Sequence, residues 1–254
     1  MSAPLRLDSA AVSHPGLVRR ANEDSFCDRA ADGVWAVADG MGGHAHGDWA
    51  SRALAGALAN AALAEAFEDA ANAVADGIHH GNRLIWREAQ RRGQQMGSTV
   101  VALLVRDRRF AVLWVGDSRA YLLRAGRLHQ LTRDHTQVQE LVDRGLLTPD
   151  EARTHSRGHV LSRAVGVSER LQVDAVTDEV EPGDVFLLCS DGLTGPVADA
   201  EIAALLGDGL GRQATVDRLV ALTLERGAPD NVTAVLVSAQ EATLLSFAAP
   251  GGFG

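Results

Sequence analysis

The stretch that decides the fold is residues 37–47, VADGMGGHAHG, in which an apolar run leads directly into Asp39. Four glycines fall within the next eight residues, so another group can approach the backbone closely there. One interpretation takes Gly40, Gly42 and Ala45 as the dinucleotide fingerprint G-x-G-x-x-A, which holds a pyrophosphate. The other takes Asp39 as the functional residue and the glycines as the means of access for a cation. The two interpretations predict ligands of opposite charge.

Composition limits the class of protein and of partner. The chain has 254 residues, 46% of them hydrophobic, which is enough for one large core. A formal net charge of −9 argues against nucleic acid as a partner, because phosphate binding requires clustered Lys and Arg. The two cysteines, Cys27 and Cys189, fit a reducing compartment better than a disulfide framework. Without an apolar run of 18 residues or a signal-peptide pattern, we expect a cytoplasmic protein that does not enter a membrane.

Hydrophobic patterning predicts helices and strands in separate blocks. Strands are predicted at 33–38, 98–105, 109–116, 119–125, 127–132, 171–177, 184–189 and 231–238. Helices are predicted at 47–66, 68–92, 197–206 and 212–226. Four consecutive strands between residues 98 and 132 predict an antiparallel meander. Together the elements predict an α+β fold, a four-layer α-β-β-α sandwich of two antiparallel sheets flanked by helices.

The predicted domain organisation is simple. We expect one domain over residues 1–240 and a tail over residues 241–254, which ends in FAAPGGFG. Residues 136–168 are polar and charged, so we interpret them as an excursion from the core. Within this excursion Thr148-Pro149-Asp150-Glu151 has the pattern of a helix start.

Aspartates recur at the ends of the predicted apolar strands. Asp39, Asp117 and Asp191 each follow such a strand, Asp230 precedes the last one, and residues 22–24 add acidic groups near the start. A single Asp-Gly after a strand is ordinary turn chemistry, but the repetition indicates that strand ends gather carboxylates on one rim. Close carboxylates repel one another unless a cation neutralises them. Mg²⁺ and Mn²⁺ prefer such oxygen ligands, so the sequence predicts a divalent metal site.

Seven segments follow one another in a fixed order between residues 16 and 238. They are VRRANED (18–24), VADGMGGH (37–44), GSTVVALLV (97–105), VGDSRAYLLRAGRLHQLTRDHT (115–136), VLSRAVG (160–166), DVFLLCSDGL (184–193) and PDNVTAVLV (229–237). This ordered set resembles the metal-dependent PP2C-type serine/threonine protein phosphatases, specifically the bacterial single-domain kind. The resemblance implies the same sandwich fold and makes residues 136–168 the flap subdomain of that family.

The resemblance implies a set of metal ligands. Asp39 would bridge two core ions, either Mn²⁺ or Mg²⁺, and the carbonyl of Gly40 would bind the first ion. Asp191 and Asp230 would bind the second ion. Asp117, together with Asp191, would hold a third ion of the kind found in bacterial members.

The resemblance also implies roles around the metal ions. Glu23 and Asp24 match acidic positions that hold metal-bound waters. Arg19 matches the arginine that grips the substrate phosphate, which makes it a catalytic residue beside the bridging aspartate. Asn22 and Asn231 match positions that orient the site.

The implied activity is hydrolysis of phosphoserine and phosphothreonine by a metal-activated water, without a covalent phosphoenzyme. Met41 stands where many eukaryotic relatives have a histidine proposed to protonate the leaving oxygen. A thioether cannot donate a proton, so we expect water at the metal site to do so, with His44 as the alternative donor. The implied partners are phosphorylated proteins, including a Ser/Thr kinase and FHA-domain proteins, in a pathway such as type VI secretion regulation. We expect a monomer.

Other functions are less well supported by the sequence. A dinucleotide-binding oxidoreductase needs a βαβ unit with an acidic residue about 20 residues on, and Glu65 near that distance falls in an Ala-rich helix. An inactive phosphatase-like binding module would be expected to lack acidic ligands that are present here. The pairs His44-x-His46 and His79-His80 have no Cys or His at zinc-ligand spacing.

Three further residues have two interpretations each. His135 either supports the rim of the site structurally or takes a direct part in it, and we favour structural support. Ser162 and Arg163 either contact substrate or contribute only to packing.

Overall fold

Two antiparallel sheets form the centre of the structure, a computed structural model that describes residues 5–42, 46–153 and 155–242. The first sheet has five strands in the order β1-β11-β10-β7-β8. Their bounds are β1 Leu5–His14, β7 Arg119–Arg124, β8 Arg127–Gln130, β10 Val185–Cys189 and β11 Val232–Glu241. Every pair in this sheet is antiparallel.

The second sheet has the order β2-β3-β5-β6-β9, and the short strand β4 pairs with the end of β3. Its strands are β2 Asp24–Arg29, β3 Val34–Met41, β4 Gly97–Ser98, β5 Val100–Arg106, β6 Arg109–Val115 and β9 Asp174–Glu179. These pairs are antiparallel as well.

The β3 strand is apolar through most of its length because both of its faces are buried. Trp35 and Val37 lie in the core between the two sheets, whereas Val34, Ala36 and Ala38 lie in the core beneath the helices. Successive side chains of a strand point to opposite faces, which accounts for this alternation. In the core between the sheets, Phe110 of β6 meets Phe186 of β10 edge to face, with ring centroids 5.0 Å apart.

Helices cover both outer faces and complete the four layers. The second sheet is covered by α1 (His46–Ala59) and α2 (Phe67–Arg92). The first sheet is covered by α5 (Asp191–Thr194), α6 (Asp199–Gly207) and α7 (Arg212–Glu225). The predicted α+β sandwich is therefore confirmed.

Residues 136–168 contain two short helices, α3 (Gln137–Asp143) and α4 (Pro149–Arg153). A bridge between Thr136 and Leu161 closes the base of this excursion. The Thr148 hydroxyl accepts a hydrogen bond from the backbone N–H of Glu151, and the Glu151 carboxylate accepts one from the backbone N–H of Thr148. This reciprocal pair forms the helix start predicted from the sequence.

The structure corrects three predictions about single elements. The predicted meander is wrong, because β6 and β7 lie in different sheets and the chain crosses between the sheets at Gly116–Ser118. The strands β1 and β2 were not predicted, because both are edge strands with many polar residues. The first helix ends at Ala59 and not at residue 66. Among the described residues, no helix is both long and apolar enough to cross a membrane.

Candidate active site

Asp39 occupies the end of β3, on the face that points toward the other sheet. It follows Trp35 and Val37 at intervals of two residues, so its carboxylate extends the core between the sheets with a polar group. Asp24 of β2 is its direct partner across the strand pair. The strand continues through Gly40 to Met41, whose backbones pair with β4. Asp39 and Gly40 therefore lie within a strand, whereas the predicted strand ended at residue 38.

Three further aspartates approach Asp39 from other elements. Asp117 lies in the crossing between β6 and β7, where it is buried. Asp191 begins α5 directly after β10, and Asp230 precedes β11, so both arrive from the first sheet. The two sheets thus contribute carboxylates to one shared rim, as the positions of the aspartates in the sequence predicted.

The electrostatics show that these carboxylates are close. Burial, followed by the charges of Asp24, Asp191, Asp117 and Asp230, raises the pKa of Asp39 well above its ordinary value. Burial raises the pKa of Asp24 to about 7, although the neighbouring Thr233 and Ser190 oppose this shift. Burial and the charge of Asp191 raise the pKa of Asp117 to about 8. Like charges in a desolvated site produce these shifts, and a cation would relieve them.

Ser190 positions Asp24 and was missed in the sequence analysis. Its hydroxyl donates to Asp24 Oδ2 at 2.8 Å and accepts from the Thr233 backbone N–H at 3.0 Å. This bond connects the first sheet to the second, because Ser190 follows β10 and Asp24 begins β2. The other oxygen, Asp24 Oδ1, is buried without a hydrogen-bond partner among the described residues. An unpartnered carboxylate oxygen at this place suits a water or cation ligand.

Gly40 and Gly192 allow the backbone to pass very close to its neighbours. A Cβ on Gly40 would stand 2.1 Å from the Gly47 carbonyl oxygen, and one on Gly192 would stand 1.8 Å from the Asn231 carbonyl oxygen. Neither distance is compatible with a side chain. Gly40 is thus required for α1 to approach β3, and Gly192 for Asp191 to reach its place beside the start of β11.

Arg19 lies on an exposed loop that Asn231 holds at both ends. The side-chain amide of Asn231 donates to the carbonyls of Pro15 and Ala21, both at 2.9 Å, and its oxygen accepts from the Glu23 backbone N–H at 2.8 Å. The guanidinium of Arg19 pairs with Asp230 Oδ2 at 2.6 Å. Arg19 is therefore placed directly beside the carboxylate cluster.

Asn22 supports the segment that follows this loop. Its side-chain amide donates to the Ser13 hydroxyl at 2.8 Å, and its oxygen accepts from the Asp24 backbone N–H at 3.2 Å. Asn22 thus connects β1 to the first residue of β2. Among the described residues, the Asn231 side chain bonds only to backbone groups, whereas Asn22 bonds to one backbone N–H and to the Ser13 hydroxyl.

Ser98 and Thr99 connect Asp39 to its surroundings and are not nucleophiles in this geometry. The Ser98 hydroxyl donates to the Asp39 carbonyl at 3.0 Å, and the Thr99 hydroxyl accepts from the Asp39 backbone N–H at 3.1 Å. Thr99 also meets the Ser118 hydroxyl at 2.6 Å, next to Asp117. Because both side chains are buried, they stabilise the backbone at the rim.

His135 and Arg163 form a structural network. His135 Nδ1 accepts from the Gly116 N–H at 3.1 Å, so its Nε2–H faces Asp174 Oδ2 at 3.2 Å. Arg163 donates to the other oxygen of Asp174 at 2.6 Å. Arg163 is therefore engaged in an ion pair, and His135 supports the crossing that presents Asp117.

His159 is a second residue missed in the sequence analysis. It lies in the excursion 136–168, and its exposed ring places Nδ1 3.6 Å from Asp191 Oδ2. The neighbouring Asp191 carboxylate raises the pKa of His159. The alternative proton donor, His44, lies outside the described residues, and the Met41 side chain lies against Gly97.

The carboxylate cluster suits hard divalent cations that retain bound waters. Within the described residues, it does not form a closed site in which side chains alone surround the ion. No three His, Cys, Asp or Glu side chains of the described ranges form a ready-made ligand set. Mg²⁺ and Mn²⁺, however, retain several waters and bind through one or two carboxylates, so a wide cluster of aspartates suits them. The raised pKa of Asp39 and the unpartnered oxygen of Asp24 support this fit.

The structure excludes the dinucleotide interpretation. The fingerprint requires two parallel strands joined by a helix. Here β3 and β5 are antiparallel neighbours in the same sheet, although α1 and α2 lie between them in sequence. The residue Ala45 of the fingerprint lies outside the described ranges.

Comparisons with known proteins agree with this geometry. Residues 19–239 match the sequence profile described as Protein phosphatase 2C. The serine/threonine protein phosphatase PstP of Mycobacterium tuberculosis is 40% identical over 234 residues, which cover 91% of this chain and 45% of that protein. The chain therefore spans about half the length of this relative. The serine/threonine phosphatase stp of Listeria innocua is 34% identical over 232 residues, covering 87% of this chain and 92% of that protein.

Solved structures show the same architecture. PppA, described as a key regulatory component of T6SS in Pseudomonas aeruginosa, superposes with a TM-score of 0.86 at 43% identity, covering 92% of this chain and 97% of that one. The catalytic domain of the phosphatase PstP in complex with two manganese ions superposes with a TM-score of 0.84 at 39% identity. That comparison covers 93% of this chain and all of the other.

Proposed function

Because the chain belongs to the protein phosphatase 2C family, we propose that it is a metal-dependent phosphatase that hydrolyses phosphoserine and phosphothreonine in proteins. One observation carries the proposal: carboxylates from both sheets converge on Asp39, and burial together with their charges raises its pKa. Such a cluster is costly unless it binds cations. The relatives named as serine/threonine phosphatases support the substrate class.

The carboxylates hold the cations in this proposal. Asp39, Asp191, Asp230 and the Gly40 carbonyl would hold two core ions. Glu23 and Asp24 would hold waters around these ions, and Asp117 with Asp191 would hold a third ion. Bound Mn²⁺ or Mg²⁺ supplies an activated water and neutralises charge on the phosphate. The manganese complex of PstP supports manganese as a cofactor.

Arg19 binds and orients the substrate phosphate. Its side chain is 54% exposed and sits on a loop fixed at both ends, so the guanidinium can exchange Asp230 for a phosphate. A guanidinium offers two parallel N–H donors to two phosphate oxygens. Asp230 in turn becomes available as a metal ligand when Arg19 moves to the substrate.

The expected partners follow from this chemistry. We propose phosphorylated proteins as substrates, among them a Ser/Thr kinase and FHA-domain proteins, with residues 136–168 acting as a flap beside the site. The relative PppA, a regulatory component of type VI secretion, supports a role in regulating such a system. A cytoplasmic monomer is the state we propose, and two buried free thiols, Cys27 and Cys189, suit that compartment.

Hydrolysis of a phosphothreonine peptide tests the proposal. We expect activity with Mn²⁺ or Mg²⁺, none in EDTA, and recovery when metal is restored. Asp191→Asn should abolish this hydrolysis. Asp76→Asn, which changes an exposed residue of α2, should leave the hydrolysis unchanged. If the metal-loaded protein hydrolyses neither the peptide nor p-nitrophenyl phosphate, the proposal is wrong and an inactive binding module remains.

A further inference from the structure

A basic groove lies between α2 and the loop that follows the excursion 136–168, away from the carboxylate cluster. Its volume is about 400 Å³, within the range of ligand-binding pockets. The residues whose side chains can contact a ligand there are His79, Arg83, Trp86 and Arg87 from α2 and Glu169 and Arg170 from the loop. We call this feature the arginine groove.

The three arginines of the groove have no ion-pair partner in the part of the chain that the structure describes. No carboxylate of the described side chains lies within 4.0 Å of Arg83, Arg87 or Arg170. By contrast, Arg91 and Arg92 at the end of the same helix both pair with Glu88 at 2.6 Å. Unpaired guanidinium groups gathered around one concavity are unusual in a chain with a net charge of −9.

The groove is held in shape by a buried asparagine. Asn82, 2% exposed, donates to the carbonyls of Ser168 and Glu169 at 3.0 and 3.2 Å and accepts from the Gly166 N–H at 2.6 Å. Gly166 has φ of +87°, and a Cβ there would stand 2.1 Å from the Ile85 side chain. The loop is therefore clamped on α2, which keeps Arg170 opposite the helix arginines.

The same loop also reaches the candidate active site. Val165, directly before Gly166, exchanges two backbone hydrogen bonds with Ser98 at 2.9 and 2.8 Å. The Ser98 hydroxyl in turn donates to the Asp39 carbonyl. A polypeptide that extends from the catalytic site along this loop would meet the arginine groove.

We propose that the arginine groove binds the phosphoryl group of a second phosphoserine or phosphothreonine on the same substrate polypeptide. Three guanidinium groups and the Glu169 carboxylate together give a local charge of +2. A phosphorylated side chain has a charge near −2 at neutral pH, whereas glutamate has −1, so the dianion is the better match. Guanidinium forks also bind phosphate through paired N–H bonds. This inference rests on the proposed phosphatase function, because it names a feature of its substrate.

Peptide binding by the full-length chain in EDTA tests the groove without requiring turnover. The probes are three fluorescein-labelled peptides of one sequence that carry phosphoserine, glutamate or serine at a single position. We expect the phosphoserine peptide to bind about tenfold more tightly than the glutamate peptide. Arg83→Glu with Arg87→Glu should weaken its binding at least tenfold.

Two control variants show whether the groove itself holds the phosphate. Arg127→Glu with Arg218→Glu changes the net charge equally at exposed arginines elsewhere, and it should bind like the wild-type protein. Arg19→Ala should retain binding in EDTA. If Arg19→Ala abolishes binding and the groove variant does not, the phosphate is held at the catalytic loop and the inference is overturned. Circular dichroism checks that each variant is folded.

The outcomes also distinguish this inference from the proposed function. If Mn²⁺-dependent hydrolysis occurs but the groove variant binds the phosphoserine peptide like wild type, only the groove inference fails. If the peptide binds through Arg83 and Arg87 but no phosphopeptide is hydrolysed with Mn²⁺, only the proposed function fails. With Mn²⁺, a doubly phosphorylated peptide should have a KM about tenfold below that of its singly phosphorylated form in the wild type alone.

Discussion

Asp24 and Asp39 face each other as partners across the β2–β3 pair. Directly opposed residues of an antiparallel pair point to the same face with Cβ atoms about 5 Å apart. Backbone pairing of the two strands therefore holds these two carboxylates close together, and the hydrogen bond from Ser190 fixes the Asp24 side chain. Repulsion between these carboxylates destabilises one rim of the metal-free fold. A bound divalent cation would remove this repulsion.

Asp39→Asn should lower the catalytic activity without lowering the stability of the metal-free protein. Loss of the central ligand should lower phosphopeptide turnover about a thousandfold or more, because metal ions supply several kcal/mol of transition-state stabilisation. In EDTA at pH 7.5 the variant should unfold at the same or a higher temperature than wild type, since one buried negative charge is removed.

Thermal unfolding with and without Mn²⁺ provides the measurement for Asp39→Asn. Wild type should gain stability from the metal, and the variant should gain much less. The exposed variant Asp76→Asn serves as the control for a change of one charge. A lower unfolding temperature of Asp39→Asn in EDTA, or full turnover, would contradict the assigned role.

The sequence predicted the family, the fold class and the list of acidic residues because these depend on local patterns in a recognisable order. Asp39 after an apolar run and Asp191 after another are visible without coordinates. The family and the fold are confirmed, whereas the individual ligand roles remain proposals. Whether β6 pairs with β7 depends on a crossing at Gly116, which hydrophobic pattern alone cannot distinguish from a hairpin.

The contacts between distant segments could not be predicted. Ser190 meets Asp24 because β10 and β2 lie in different sheets whose packing sets the alignment of their ends. The arginine groove joins Arg83 to Arg170 across more than 80 residues of sequence, and each half looks like an ordinary solvated surface. No repeating pattern of the sequence predicts that these two segments lie side by side.

Ser190→Ala should weaken metal binding without removing a ligand. Asp24 would lose its buried hydrogen bond, and residues that orient ligands typically contribute about 10- to 100-fold in metal affinity. Stability should fall by about 1–3 kcal/mol. Titration of Mn²⁺ by calorimetry measures the affinity. Thr223→Ala is the matched control, because that buried hydroxyl bonds to Leu219 within α7 and should affect stability alone.

Arg19→Ala should affect substrate binding and spare metal binding. The loss of a bidentate phosphate contact should lower kcat/KM for a phosphopeptide by about 10- to 100-fold, since a charged hydrogen bond is worth about 1.5–3 kcal/mol. Mn²⁺ affinity should be unchanged or higher, because Asp230 loses the guanidinium that competes for it. Arg20→Ala removes a neighbouring exposed arginine and should retain activity. Weaker Mn²⁺ binding by Arg19→Ala would contradict this assignment.

Gly192→Ala should destabilise the fold, because its methyl group would meet the Asn231 carbonyl at 1.8 Å. Overpacking of this kind costs about 1–3 kcal/mol or more, and the shift of Asp191 should reduce Mn²⁺ affinity as well. Gly56→Ala is the opposite case, since nothing lies within 4 Å of its Cβ inside α1. That variant should gain up to about 1 kcal/mol from helix propensity. Equal unfolding midpoints in urea for the two variants would contradict the packing argument.

His135 should make stability depend on pH below neutrality. Burial and the nearby Arg163 charge lower the pKa of His135, although Asp174 opposes the shift. A histidine with a lowered folded pKa contributes stability above its unfolded pKa of about 6.5, and that stability is lost as pH falls toward the folded pKa. Urea unfolding in EDTA should therefore show that wild type loses stability relative to His135→Gln between pH 7 and pH 5. The carboxyl groups whose pKa values are raised contribute to both profiles and cancel in this difference. At pH 8, where both side chains are uncharged, the difference measures the loss of stacking on Trp114 and of the Gly116 bond. Parallel pH profiles of the two proteins would show that His135 does not titrate in this way.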